Sequence, residues 1–529
     1  MSRSKVMPAE KAAGLIKDND TVWIISSGGG IGEPSRILSA IENRFLQTGH
    51  PRDLTVCHSS GIGDKRGGGS DHFAHEGMVK RVIGSHWTWA PKLSKMVEEN
   101  RVEGYVLPQG VMVHLLRAIA GKKPGVITHV GLGTFIDPEY EGGRLNSRSQ
   151  ASLVEKIQLA GSEWLFYKSF PLNVVVIRGT TADEDGNITM EHEGVYMEAL
   201  PAAQAAKNSG GIVIAQVKRL AVRRTLDPRM IKVPGILVDA IVVDPNQMQS
   251  MEIIYDPAYS GELKVPSDLF TPMSFNIRKI VARRAAMELF PGAIVNLGFG
   301  MSDGVASIAA EENIIDQVTF TVEQGVIGGM PALGVNFGLS SNPVAIVEHH
   351  SQFDWYDGGG LDLAFLAFAQ LDRFGNINVS RFGNRIVGVG GFINISQNAK
   401  KVVFCGSFST SGLEIAAKDG KLTIIKEGKY HKLRNQVEQI SFSAKYACKK
   451  GQEVIYVTER AVFKLSPDGV ILTEIAPGVD LEKDVLSQME FKPILSPELK
   501  LMDSRIFRES IMGLRNDQTF RPGAELDEL

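Results

Sequence analysis

The chain has 529 residues, 43% hydrophobic and 22% charged, which predicts two or three soluble domains in place of a single core. Its 57 Lys and Arg against 60 Asp and Glu leave a net charge of -3, which argues against a nucleic-acid scaffold. Three scattered cysteines (Cys57, Cys405, Cys448) exclude a CxxC site, and no apolar run approaches the ~20 residues that span a bilayer. Together with a charged, non-apolar start, these features predict a cytoplasmic protein with no membrane partner.

Residues 9–34, AEKAAGLIKDNDTVWIISSGGGIGEP, read as a helix, a turn, a buried strand and a glycine loop. A second glycine cluster, HSSGIGDKRGGG, occupies 58–69, followed by VLPQG at 106–110 and GLGTFIDP at 131–138. NVVVIRGTTADEDGNITM (173–190) predicts a strand, a tight turn at Asp183 or Asp185 with Gly186, and a second strand. An apolar strand follows in GGIVIAQV (210–217). Residues 250–280 show no helical periodicity and predict a boundary.

The pattern then repeats. IRKIVARRAAMELFPGAIVNLGFGMSDGVAS (277–307) matches the opening segment, LDLAFLAFAQLDRFGNINVS (361–380) repeats the hairpin with Asp372 and Gly375, and KKVVFCGSF (400–408) repeats the next strand. The duplication predicts an α/β fold of two related open domains with mostly parallel sheets and a cleft between them. We assign 1–260 to the first domain, 261–279 to a linker and 280–529 to the second. The first half carries roughly 80 extra residues between its glycine loop and its hairpin.

In VTFTVEQGVIGGMPALGVNFG (318–338), strand-like alternation delivers Glu323 into Gly325, Gly328 and Gly329. A carboxylate so placed can be a nucleophile, a base or a ligand, or merely a strand-end residue facing water. Other motifs mislead. NLGFGMSDG has GxGxxxG spacing, one residue off the dinucleotide fingerprint, and neither a P-loop nor GxSxG occurs. His72, His75 and Glu76 and the His349-His350 pair lack metal-site spacing, and Asp354, Asp357 and Asp362 could form an acidic metal loop but read by default as part of a turn, so we expect no metal. The string FDWYDGGGLD (353–362) reads as a shaped turn entering the strand LAFLAF.

VEQGVIGG around Glu323, FDWYDGGGLD, GVGGF (388–392), YVTERAVF (456–463) and LTEIAPGVDLEKDVL (472–486) together resemble the glutamate-dependent CoA-transferases. The likeness is greatest to the fused single-chain acetate, propionate and short-chain acyl branch, and it runs through the whole chain in order. It implies ping-pong transfer of CoA between a short-chain acyl-CoA and a free carboxylic acid, through an acyl-glutamyl anhydride and a glutamyl-CoA thioester. It also implies Glu323 as nucleophile, with Gln109, Gly388 and Gly390 stabilising the oxyanion. CoA, a co-substrate and not a resident cofactor, would be held by Gly298, Phe299, Gly300, Met301, Gly388 and Gly391. Lys400, Lys401, Arg381 and Arg385 are nearby candidates for its phosphates, and Leu333 and Asn336 for shaping the acyl pocket. A homo-oligomer, dimer or tetramer, is expected on the same basis. An acyl-CoA hydrolase of the same superfamily and a non-catalytic small-molecule sensor are the alternatives.

Overall fold

The computed structural model describes residues 4–266 and 270–520, so Ser267, Asp268 and Leu269 of the expected linker lie outside the described residues. The first sheet contains β1 (Thr21–Ile24), β2 (Leu54–His58), β3 (Val79–Gly84), β4 (Glu103–Val106), β5 (Val174–Asp183), β6 (Ile212–Ala221) and β7 (Ala240–Val243). They lie in the order β7-β6-β5-β1-β2-β3-β4, with every neighbouring pair parallel. β2 and β5 are buried at every position, as strands covered on both faces must be.

The second sheet contains β8 (Ile294–Leu297), β9 (Thr319–Val322), β10 (Val326–Ile327), β11 (Ala345–Ile346), β12 (Leu363–Ala367), β13 (Lys401–Cys405) and β14 (Glu453–Val457). β15 (Ala461–Ser466), β16 (Gly469–Ile475) and β17 (Ile494–Leu501) complete it, in the order β11-β10-β9-β8-β12-β13-β14-β15-β16-β17. The central run β9-β8-β12-β13-β14 is parallel, and β10, β11 and β15 extend it with antiparallel pairs.

Both sheets place the first strand in the middle, the second to fourth on one side and the fifth to seventh on the other: β4-β3-β2-β1-β5-β6-β7 and β11-β10-β9-β8-β12-β13-β14. The strand order reverses beside β1 and beside β8, and in open α/β sheets such a reversal leaves a crevice at the carboxyl ends of the strands. The duplicated hairpins agree down to single atoms. Asp183 Oδ1 accepts from the backbone N–H groups of Asp185 and Asn187 while Oδ2 accepts from Asn187 Nδ2. Asp372 does the same with Phe374 and Asn376, and Gly186 and Gly375 sit at φ of 93° and 92°. The excess length of the first half includes an antiparallel sheet of Gly125–Thr128, Val154–Leu159 and Ser162–Lys168.

The two units share one seam. Helix α1 (Gln109–Ala120) of the first half faces α2 (His349–Asp357) and α3 (Phe392–Asn398) of the second, and the main apolar core runs from Val22 and Ile177 through to Phe353 and Ile393. Backbone hydrogen bonds cross it: Trp87 N–H to Val387 O at 2.9 Å, Phe135 N–H to Ile440 O at 2.9 Å, and Gln109 N–H to Gly390 O at 3.0 Å. Helix α2 corrects one expectation. Residues 353–357, expected in a turn, finish a helix, and the turn begins only at Gly358. At Gly360 a Cβ would lie 1.2 Å from Trp355 Nε1, so a larger residue there would have to displace the half-exposed indole. No helix among the described residues is long and apolar enough to cross a membrane.

Candidate active site

Strand β9 buries Phe320 and Val322 and ends at Glu323, after which Gly325 turns the chain back with φ of 110°. A Cβ on Gly325 would come within 2.2 Å of the Val347 carbonyl oxygen, so the close packing behind the carboxylate depends on glycine. The Glu323 side chain is 8% exposed and lines a cavity of about 220 Å³ on the seam. Ser27, Gly28, Ser60, Gly61 and Trp89 enclose it from the first half; Gly298, Phe299, Phe337, Leu366 and the 387–392 loop enclose it from the second. Glu323 Oε1 accepts a long bond of 3.4 Å from Gln324 Nε2, and Oε2 has no hydrogen-bond partner among the described residues. Burial pushes the carboxyl pKa above its ordinary range; its own backbone N–H, the His349 ring and the neighbouring Gln324 and Asn296 amides only partly offset this.

Gln109 opens helix α1 directly after Pro108 and is 2% exposed. Its Nε2 donates to His349 Nε2 at 2.9 Å, and its side chain lines the same cavity as Glu323. Gly388, Gly390 and Gly391 are on the cavity wall as well. The Gly388 N–H, however, donates to Ser380 O at 3.1 Å and the Gly390 N–H to Ser85 O at 2.9 Å. Both amides are spent in holding the loop, which corrects the expectation that they are free oxyanion donors. Gly391 is the open position: its N–H has no acceptor among the described residues, and a Cβ there would stand 3.4 Å from Glu323 Cγ.

The residues expected around CoA divide. Gly298 and Phe299 line the cavity, whereas Gly300 and Met301 do not; the Gly300 carbonyl accepts from Arg278, and Met301 packs on the core beneath α4 (Gly304–Glu311). Leu333 and Asn336 also stand off the cavity. Leu333 is 40% exposed, Asn336 accepts from Ser250 Oγ at 2.7 Å, and Phe337 fills the wall in their place. Of the basic candidates, Lys400 pairs with Asp362, Lys401 with Glu288 and Glu453, and Arg381 with Glu141. His72 and His75 both close on Glu42, each at 2.6 Å.

Sequence reading missed the groups behind Gln109. Glu198, Ser59 and Ser85 are buried beside it, and Ser27 receives the Gln324 amide at 3.3 Å across the seam. Their signal is weak, because a lone serine after a strand and a glutamate before a helix are common in any α/β protein.

The Coenzyme A transferase family pattern matches residues 5–244. The chain is 49% identical over 519 residues to the caffeate CoA-transferase of Acetobacterium woodii, across 97% of this chain and 99% of that protein. It is 42% identical over 516 residues to the acetate CoA-transferase YdiF of Escherichia coli strain K12, across 97% and 96%. The crystal structure of the acyl-CoA transferase YdiF apoenzyme from Escherichia coli O157:H7 matches with a TM-score of 0.93 at 42% identity, covering 97% of each chain. The thioester complex of that enzyme with CoA gives 0.92. With a seam cavity built around a buried glutamate and full-length likeness at this level, this chain belongs to the coenzyme A transferase family.

Proposed function

We propose that this protein transfers CoA between an acyl-CoA and a free carboxylic acid by a ping-pong route in which Glu323 is the nucleophile. The observation that carries the role of Glu323 is its carboxylate, buried on the cavity wall with one oxygen unpartnered and glycine backbone facing it. Its oxygen attacks the acyl carbonyl, CoA leaves as the thiolate, and an acyl-glutamyl anhydride remains. The thiolate then attacks the glutamyl carbonyl, which gives a glutamyl-CoA thioester and releases the first acid. The incoming acid reverses both steps. A carboxylate is a weak nucleophile, so positioning and oxyanion stabilisation must supply most of the rate. We assign the oxyanion donors to the Gln109 amide and the Gly391 N–H, and the approach of CoA to Gly298 and Phe299.

The thioester complex of the similar YdiF enzyme with CoA supports the covalent route. The cavity wall of Val379, Val387, Val389, Leu366 and Phe337 suits an apolar acyl group. The similar enzymes are named for acetate and for caffeate, and a short-chain acid fits the modest volume better. In this reading residues 1–260 form the acyl side and 280–529 carry the nucleophile. Cysteines without disulfides favour the cytoplasm, and the likeness to the fused transferases favours a homo-oligomer. The test is to incubate the protein with acyl-CoA alone, treat it with borohydride, and map the modification by mass spectrometry. A CoA-dependent modification at Glu323 is the expected result; an unmodified Glu323 in a fully active enzyme would overturn the mechanism.

A further inference from the structure

We propose that Glu198 and His349 are positioning residues that fix the carboxamide of Gln109 against the reacting carbonyl. The inference rests on the reading of Gln109 as an oxyanion donor. Glu198 and His349 are 0% exposed, yet neither touches the cavity, so a transferase with no use for them would more cheaply bury apolar side chains there. His349 Nδ1 lies 2.5 Å from Glu198 Oε2, and its Nε2 lies 2.9 Å from Gln109 Nε2. The second Glu198 oxygen accepts from Ser59 Oγ. Ser59 O accepts in turn from Ser85 Oγ at 2.5 Å, and Ser85 O holds the Val389 and Gly390 N–H groups at 2.7 and 2.9 Å. One continuous run of bonds thus ties the carboxamide and the glycine loop to the same buried carboxylate.

The chemistry is directional. A carboxylate only accepts, so Glu198 holds the imidazole proton on Nδ1 and leaves a lone pair on Nε2. Only the NH₂ end of Gln109 can meet that lone pair. The carboxamide therefore has one orientation instead of two, and its second N–H is left for substrate. Glu198→Gln keeps the shape and reverses the logic: a glutamine that donates to Nδ1 moves the imidazole proton to Nε2, which then selects the carbonyl end of Gln109.

The experiment measures kcat and KM for Glu198→Gln, Gln109→Ala and the double variant, with thermal unfolding alongside. Losing one oxyanion donor costs about 100–1,000-fold, and we expect Gln109→Ala in that range and Glu198→Gln at about tenfold or more, both in kcat with KM for acyl-CoA held. The double variant should be no slower than Gln109→Ala alone, because both changes act on one group. Should Glu198→Gln fail to fold, His349→Gln carries the same expectation. A slow Gln109→Ala with a fully active Glu198→Gln, or losses that multiply in the double variant, would overturn the relay and spare the role of Gln109. A fully active Gln109→Ala would overturn both.

Discussion

The two halves use one frame for opposite purposes. In register, β1 pairs Trp23 with Cys57 of β2, and β8 pairs Asn296 with Thr321 of β9, so the residues two places on, Ser59 and Glu323, occupy matching positions. The first half puts a small hydroxyl there and bonds it to Glu198. The second puts a carboxylate there and leaves Oε2 unpartnered. Duplication lets one copy carry the destabilising group at this strand end while the other keeps its side chain there hydrogen-bonded. With Glu323 as the nucleophile we propose, activity and stability fall to different copies of the same strand end.

Replacing the charged member should produce the largest effect. Glu323→Gln is expected to lower kcat by at least about 10⁴-fold while raising thermal stability at neutral pH. The sign follows from linkage. Burial raises the Glu323 pKa in the fold, so the folded state holds this proton more tightly than the unfolded chain does. Stability is then fully present below the unfolded pKa and is lost as pH rises through the folded one. The glutamine variant lacks this loss, and melting curves across a pH series should converge at acid pH and separate above it. A variant no more stable than the parent at pH 7 would break the comparison.

Smaller effects are expected where the glycine loops meet across the seam. Gly388 has φ of 80° and a Cβ would lie 2.5 Å from Ser85 O; Gly29 has φ of 71° and a Cβ would lie 1.9 Å from Val335 O. Alanine at either position should cost about 1–3 kcal/mol of stability and reduce turnover, as read by denaturant unfolding and initial rates. A loss at one position only would show that the seam is rigid from one side alone.

The matched hairpins give the finest discrimination. Asp183→Ala and Asp372→Ala should each cost about 1 kcal/mol, with opposite responses to pH. At Asp372 burial outweighs the Asn376 and backbone bonds and raises the pKa, so its contribution falls as pH rises through the folded pKa. At Asp183 burial acts in the same direction, but the Asn187, Arg224 and Asp185 bonds prevail and lower the pKa, so its contribution is lost as pH falls. Urea midpoints at several pH values would separate the two.

The repeated strand, Asp-x-x-Gly-Asn-Ile turn and glycine loop were legible because each is set by neighbours in sequence: Asp372 bonds within four residues. Glu323 was legible for the same reason, as a charge at the end of an alternating strand. The relay was not, since His349 lies 151 residues from Glu198 and 240 from Gln109. Hydrogen-bond direction was also hidden. Glycines at 388 and 390 announce close backbone approach, yet which N–H remains free depends on Ser85 and Ser380, placed by other strands. The aromatic-acid string at 353–357 misled because its helix starts upstream, at His349.

Backbone-to-backbone bonds cross between the halves at Trp87, Gln109 and Phe135, beside side-chain bonds such as Gln324 to Ser27 and Arg117 to Asp354. Adhesion of this kind does not depend on the peptide that joins the halves. What the joining peptide supplies is stoichiometry: one first half for every second half, at no concentration threshold.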